Sequence, residues 1–306
     1  MKIAVIGVGS IGKEHARVAA ETAGCELYGV VDTSSDRAQA VAEKNHTKYF
    51  SDLEMILGKV DAAVIAVPTD RHRQVTTRLL EAGIDCLLEK PIAGTLSDAD
   101  SLIETAAKHG RLLQIGHLER FNPALQAAQR IINQPRFIEI HRLGSFVPRS
   151  LDIDVVLDLM IHDIDIVLTL VGEMPMDVRA VGVPILTKRI DICNARMEFS
   201  KCVANVTASR VYRDKVRKVR IFQNDAYISL DYKAQAGEVY RLVHGKELPG
   251  ISAGRLEVVR EEPLKLQLRA FLEAVSIRRV TSCTAEQARR ALQIALEIVE
   301  RAQKSL

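Results

Sequence analysis

Between Met1 and about His117, short apolar runs alternate with amphipathic stretches. KIAVIG, ELYGVVD, AAVIAV, DCLLEK and LLQIG read as strands. Between them, helices are expected from Ile11, over Arg37 to Lys44, from about Arg71 to Ala82, and from Ser97 to His109. Strands that are apolar throughout belong to a parallel sheet with helices on both faces, because a half-wet strand would alternate. Ser97, with Asp100 three residues on, suits an N-cap, and Gly110 suits a C-terminal stop.

After a further helix expected from Pro123 to Asn133, the period falls to two. FIEIHRL, VRKVRIFQ and YISLDY alternate apolar with polar residues, and Asn224-Asp225 stands where a hairpin would turn. These features predict an antiparallel sheet in a second domain. The chain ends helically. Pro263 opens a run with Leu264, Leu268, Phe271, Leu272 and Val275 on one face, and Thr284 with Gln287 forms a capping-box pattern for the last helix. The expected division is 1–117 and 118–306, with the last helix packing back on the first domain.

One helix departs from simple amphipathicity. In Val155 to Val171, VVLDLMIHDIDIVLTLV, a period of about 100° per residue brings Asp158, His162, Asp165 and Thr169 onto one arc of an otherwise apolar helix. Asp154 joins them if the helix starts early enough. Burying carboxylates and an imidazole costs several kcal/mol, roughly, unless they are paired, so such a stripe marks a cavity or a reaction site.

Composition narrows the classes. With 306 residues, 47% hydrophobic and 26% charged, the chain has room for two domains with ordinary cores. A net charge of +3, with no Lys/Arg block interleaved with aromatics, argues against nucleic acid. MKIAVIGVGS reads as a buried first strand and not as a leader, and no apolar stretch approaches a membrane span, so no membrane association is expected. Five cysteines, odd in number and without CxxC spacing, suit reduced thiols in a cytoplasmic protein.

Gly7-Val8-Gly9-Ser10-Ile11-Gly12 ends the first strand and opens the first helix, and Asp32 closes the second strand twenty residues after Gly12. Glycines permit the tight turn and a close approach to a pyrophosphate, the helix N-terminus offers N–H donors, and an acidic side chain accepts from ribose hydroxyls. Gly7, Gly9, Ser10, Ile11, Gly12 and Asp32 are therefore the expected dinucleotide site. Asp32 would repel a ribose phosphate, and Thr33 cannot replace an arginine, so NAD is favoured over NADP. Arg37 and Ser34 keep NADP as the less favoured alternative. Glu89-Lys90-Pro91 follows the strand DCLL, which puts Lys90 at the carboxyl end of a parallel strand, where open α/β sheets bind ligands.

GVGSIG, AVPTDRH, LEKP and Asp158-x-x-x-His162-Asp163-x-Asp165, in that order, resemble the glucose-fructose oxidoreductase, inositol dehydrogenase and rhizopine-catabolism (Gfo/Idh/MocA) family. The resemblance implies an α/β architecture: an N-terminal Rossmann doubly wound parallel sheet, plus a C-terminal α+β domain with a large open, mainly antiparallel sheet that often mediates oligomerisation. It implies Lys90, His162 and Asp158 as catalytic residues, with Pro68, His72, Glu89 and Lys90 beside the cofactor. Oxidising a secondary alcohol requires a base and a polarising donor on one oxygen. His162 suits the base, and Lys90 can donate to the developing alkoxide. Asp158 and Asp165 both remain candidates for orienting His162. No metal is needed if Lys90 polarises the alcohol.

Gln114 to Pro123, PRSLDIDVVLDLMIHDID and ASRVYRDKVRKVRIFQNDAYISLDY resemble the branch of that family that oxidises the 3-hydroxyl of UDP-N-acetylglucosamine, whose 3-keto product an aminotransferase carries toward lipid A precursors. A nucleotide sugar needs cations for its diphosphate. Arg120, Arg149 and Arg210 are the candidates, with Asn122 and Asp165 as further substrate contacts, while His117 suits a structural role equally well. The resemblance implies a homodimer or homotetramer. Two other readings stand beside this one: a dehydrogenase of another sugar or cyclitol, and a nucleotide sensor or scaffold without chemistry. Retention of both Lys90 and His162 argues against the latter.

Overall fold

The computed structural model describes residues 1–146, 153–244, 249–280 and 282–304. The first half builds β1 (Lys2–Ile6), α1 (Gly12–Glu21), β2 (Glu26–Val31), α2 (Ser35–Lys44), β3 (Lys48–Phe50), β4 (Ala62–Ile65), α3 (His72–Glu81), β5 (Asp85–Leu88), α4 (Leu96–Lys108) and β6 (Leu113–Ile115). The six strands pair in parallel in the order β3-β2-β1-β4-β5-β6. This is the doubly wound order, and its winding reverses between β1 and β4, which places a ligand crevice at their carboxyl ends. β1 and β4 are almost wholly buried, as their unbroken apolar sequences require.

One boundary and one element of this half differ from expectation. The N-cap of α4 is Thr95, whose hydroxyl accepts from the Asp98 amide, and not Ser97. The three-residue strand β3 was not expected, because KYF is too short to show a period.

The second half builds α5 (Pro123–Gln129), β7 (Pro135–Leu143), α6 (Ile161–Val171), β8 (Asp177–Val183), β9 (Ile192–Glu198), β10 (Val203–Ser209), β11 (Val216–Gln223), β12 (Tyr227–Asp231), β13 (Ala236–His244), β14 (Pro249–Arg255), α7 (Pro263–Ile277) and α8 (Ala285–Lys304). The eight strands form one open sheet, β14-β13-β12-β11-β7-β10-β9-β8, antiparallel except for β10 against β7. Its inner face carries Ile138, Ile140, Val206, Val219, Ile221 and Ile228 into a core shared with α6 and the later turns of α8. α5 ends at Gln129, four residues short of the expected Asn133.

The chain divides into Met1–Leu118 with Glu262–Arg289, and Glu119–Glu261 with Arg290–Leu306. The segment that rejoins the first unit is therefore centred on α7 and not on the whole last helix. Leu264, Leu268, Phe271 and Val275 of α7 pack with Ala16, Val18 and Ala19 of α1, and Arg17 bonds Glu262 at 2.5 Å. Thr284 and Gln287 form the reciprocal capping box: the Gln287 carboxamide accepts from the Thr284 amide (3.1 Å), and the Thr284 hydroxyl accepts from the Gln287 amide (3.3 Å).

Candidate active site

In the first unit, the turn after β1 has a geometry that only glycine permits. Gly7 sits at φ +81°, and a Cβ there would meet the Ala66 carbonyl oxygen at 2.8 Å. A Cβ on Gly12 would meet the Gly7 carbonyl oxygen at 1.8 Å, so α1 starts against the turn itself. Gly9 differs, since a Cβ there would find nothing within 4 Å. Its backbone lines open space at the uncapped N-terminus of α1, where N–H donors and partial positive charge suit a pyrophosphate. Ser10 and Ile11 are exposed on the same turn, and Pro68 is exposed after β4.

Asp32 is buried at the end of β2. Its oxygens accept from the amides of Val8 and Ser34, each at 2.9 Å, and from Nε and Nη2 of Arg37 at 3.1 and 3.0 Å. Burial opposes the charge, but these donors outweigh it and hold the carboxyl below its ordinary range. The turn, the uncapped helix and the ionised acid together fit a dinucleotide.

Lys90 is half-buried at the end of β5, followed by a cis bond to Pro91. Its neighbours differ from expectation. The Glu89 carboxylate turns inward to His15 of α1, with Oε1 2.8 Å from Nε2, and its Oε2 accepts from the Lys90 amide at 3.3 Å. Gly116 leaves room for this fold, because a Cβ there would lie 2.9 Å from Glu89 Oε1. His72 is 1% exposed, and its ring is committed to the scaffold: Nδ1 lies 2.9 Å from the Pro91 carbonyl oxygen and Nε2 lies 3.0 Å from that of Val67. Glu89 and His72, expected beside the cofactor, have these protein partners for their side chains. Both side chains thereby shape the Lys90 turn. His117 is also buried, and its carbonyl lies 3.7 Å from the Cys283 sulfur.

In the second unit, the helix expected from Val155 begins with a π turn over Val156–Met160 and becomes α6 only at Ile161. A π turn holds more residues per revolution, so the 100° count does not apply across it. Such turns recur at functional sites. Asp158 and His162 are half-buried, Asp165 is buried, and Asp154 accepts from the Ile190 amide at 2.9 Å.

Asp165 forms a two-point ion pair with Arg120, Nε–Oδ2 2.6 Å and Nη2–Oδ1 2.5 Å. Both residues are buried, and the pair ties Arg120 to α6. Asn122 likewise serves the scaffold: its Oδ1 accepts from the Ala124 amide to cap α5, and its Nδ2 donates to the Tyr232 carbonyl at 3.1 Å. Arg210 is buried, donates to the carbonyls of Ile153 and Ile190, and lies 3.4 Å from Asp191. Arg149 lies outside the described residues.

The sequence reading gave no role to the strongest group around α6. Arg142, inward-facing on β7, places Nε and Nη2 each 2.7 Å from Asp163 and Nη1 2.8 Å from Glu119, which Arg217 also reaches at 3.3 Å. Burial works against the charge on Glu119, yet Arg142 and Arg217 prevail and its pKa falls below the ordinary value. The available signal was phase: Arg142 follows Ile138 and Ile140 at the inward period of two.

Comparison with known proteins aligns with both units. Residues 1–117 match the Gfo/Idh/MocA model, an oxidoreductase family with an NAD-binding Rossmann fold. The chain is 38% identical, over 97% of its length and 96% of the relative's, to UDP-N-acetylglucosamine 3-dehydrogenase of Acidithiobacillus ferrooxidans. The solved structure of that enzyme matches with a TM-score of 0.94, covering 99% of this chain and 98% of the other. An inositol 2-dehydrogenase/D-chiro-inositol 3-dehydrogenase of Shouchella clausii is 31% identical over 58% of this chain and 55% of its own.

Proposed function

Because the chain belongs to the Gfo/Idh/MocA oxidoreductase family, we propose that it is an NAD-dependent dehydrogenase that converts the 3-hydroxyl of UDP-N-acetylglucosamine to the 3-keto sugar. The observation that carries the substrate assignment is likeness along nearly the whole chain, not only the nucleotide unit, to an enzyme of that name.

Bound NAD supplies the hydride acceptor. The Gly7–Gly12 turn and the uncapped start of α1 hold its pyrophosphate, and Asp32 accepts from the adenosine ribose. On the sugar, Lys90 Nζ donates to the reacting oxygen and stabilises the charge that develops as the proton leaves. His162 takes that proton, because an imidazole titrates near neutrality in ordinary surroundings. Asp158, one turn before it, orients or tunes the ring. Arg149 remains the proposed diphosphate contact among the three arginines first considered, since Arg120 and Arg210 are committed to buried partners.

The test is absorbance of reduced cofactor with UDP-N-acetylglucosamine, free N-acetylglucosamine, glucose and inositol, with the product carbonyl located by NMR. Turnover confined to the nucleotide sugar, and lost in Lys90→Met and His162→Ala, is expected. Turnover of the free polyols alone overturns the substrate assignment, and undiminished turnover in either variant overturns the mechanism. A ketone at C3 needs a reaction that consumes it, and a pyridoxal-dependent aminotransferase is the proposed next step.

The outer face of the eight-stranded sheet supports a homodimer or homotetramer. Phe137, Phe222, Tyr227 and Tyr240 form a ring row with centroids 5.6, 4.7 and 5.4 Å apart, beside Leu242 and Ile251, which are 57% and 76% exposed. The neighbouring row carries Arg220 with Glu139, and Glu238 paired in register with Arg255, charges of both signs that a second copy can meet. Among the described residues no helix is long and apolar enough to cross a membrane, and the five cysteines are not disulfide-bonded. A cytoplasmic location is proposed on the cofactor and the thiols together.

A further inference from the structure

Lys90 is flanked on both sides by residues whose side chain or backbone is held by a buried histidine. On the amino side, His15 is 2% exposed and its Nε2 lies 2.8 Å from Glu89 Oε1, while the other carboxylate oxygen of Glu89 accepts from the Lys90 amide. On the carboxyl side, His72 Nδ1 lies 2.9 Å from the carbonyl oxygen of Pro91. The remaining nitrogen of His72 reaches Val67 in the loop after β4, and His15 stands three residues beyond Gly12 on the helix that the dinucleotide turn opens. The lysine turn is thus tied to the two loops that border the crevice between β1 and β4.

We propose that His15 and His72 are positioning residues that fix the Lys90 turn from opposite sides, without touching substrate or cofactor themselves. The proposal rests on Lys90 acting on the alcohol. An amine on a flexible four-carbon stem reaches a defined point only if its backbone is fixed, and a misplacement of about 1 Å can lower turnover by roughly 100-fold. Both rings are buried and both contacts are made by a specified nitrogen, so the two histidines differ in which amide can replace them. The amide nitrogen of Asn occupies the place of Nδ1, and that of Gln the place of Nε2.

This difference gives the experiment. At position 72 the neutral ring carries one N–H and both neighbours are carbonyls, so the bond to the lysine turn is that of the tautomer protonated on Nδ1; His72→Asn is then expected to keep kcat within about threefold and His72→Gln to lose about tenfold or more. At position 15 the bond comes from Nε2, so the order reverses: His15→Gln keeps turnover and His15→Asn loses it. KM for NAD and for the sugar stays within about threefold throughout, because neither ring contacts a ligand. A second readout needs no turnover. Hydrogen exchange of the peptide Leu88–Ala93 in the cofactor-free protein is expected to accelerate in His72→Gln and His15→Asn and to stay near wild type in the other two.

A general loss of stability gives the same order at both positions, so equal effects of Asn and Gln, or one order at both sites, overturn the proposal. Undiminished turnover in Lys90→Met sinks instead the assignment of Lys90, and the exchange pattern still reports on the braces. Exchange unchanged in all four variants overturns the braces whatever the activity.

Discussion

Arg37 lies on the carboxylate of Asp32 with two parallel hydrogen bonds, Nε to Oδ2 at 3.1 Å and Nη2 to Oδ1 at 3.0 Å. With the amides of Val8 and Ser34, Asp32 already accepts four bonds, about the capacity of a carboxylate. For ribose hydroxyls to bond Asp32, a partner must yield, and Arg37, 51% exposed, is the one able to move. The pair therefore sets cofactor choice jointly: Asp32 favours the hydroxyls of NAD, and a displaced Arg37 offers a cation to a ribose phosphate. Asp32→Ala is expected to raise KM for NAD about tenfold or more, on the scale of a lost charged hydrogen bond. Arg37→Ala is expected to raise the ratio of kcat/KM for NAD over NADP by about three- to tenfold. Steady-state rates with both cofactors decide, and an unchanged ratio in Arg37→Ala removes Arg37 from the selection.

The Arg142 cluster makes a stability prediction of a different kind. Arg142 neutralises two buried carboxylates, Asp163 and Glu119, beside the helix that carries His162. Removing it takes the two-point partner from Asp163 and leaves Glu119 the longer bond to Arg217, and breaking a buried pair costs about 3–5 kcal/mol. Arg142→Ala is expected to lose that much in urea unfolding. The triple change Arg142→Met, Asp163→Leu, Glu119→Gln is expected to lose far less, since an apolar replacement of a buried ion pair is often neutral. A triple variant no more stable than Arg142→Ala contradicts this account.

The sequence made the first unit more legible than the second. Buried parallel strands are continuous apolar runs and the glycine turn has a fixed spacing, so Gly7, Gly12 and Asp32 could be placed before any contact was seen. The contacts around Lys90 could not. His15 and Glu89 are 74 residues apart, and nothing local in either one announces the bond. The arc of polar residues on α6 was visible as a period. The π turn that precedes α6 was not, because Val156–Met160 reads as ordinary helix. Asp163 was overlooked for a related reason: it lies off the expected arc, and only the sheet strand beneath it reveals a partner. Arg120, Asn122 and Arg210, read as ligand contacts, each also bond a buried backbone group or carboxylate far away in sequence, a partner that no local pattern announces.

Gly116 offers a local test of how tightly the Lys90 turn is packed. A Cβ at this position would lie 2.9 Å from Glu89 Oε1, 3.0 Å from its Cδ and 3.1 Å from its Cα, so a side-chain rotation alone does not clear it. Gly116→Ala is expected to destabilise the protein by about 1–3 kcal/mol, the usual range for overpacking, and to lower kcat through the displaced Glu89. Gly94→Ala is the control, since a Cβ at this exposed position meets nothing within 4 Å and should stay within about 0.5 kcal/mol. Equal stabilities of the two variants by thermal unfolding argue against a close fit at Gly116.

His72 predicts how stability responds to acid. Burial disfavours its charged form and outweighs the Val67 and Pro91 carbonyls, which favour it, so its pKa in the folded protein lies below the ordinary value. In the unfolded chain the ring takes a proton near pH 6.5. Between that pH and the lower folded value the unfolded chain binds a proton that the folded protein refuses, and stability therefore rises with pH. The contribution is complete above about pH 6.5 and is lost as the pH falls toward the folded value. His72→Asn cannot titrate in this range and keeps an amide near Pro91. Its Tm is expected to fall less than that of wild type between about pH 7 and pH 5, with the two curves parallel above about pH 7. Curves that remain parallel through the acidic range mean that His72 takes its proton as easily in the folded protein as in the unfolded chain.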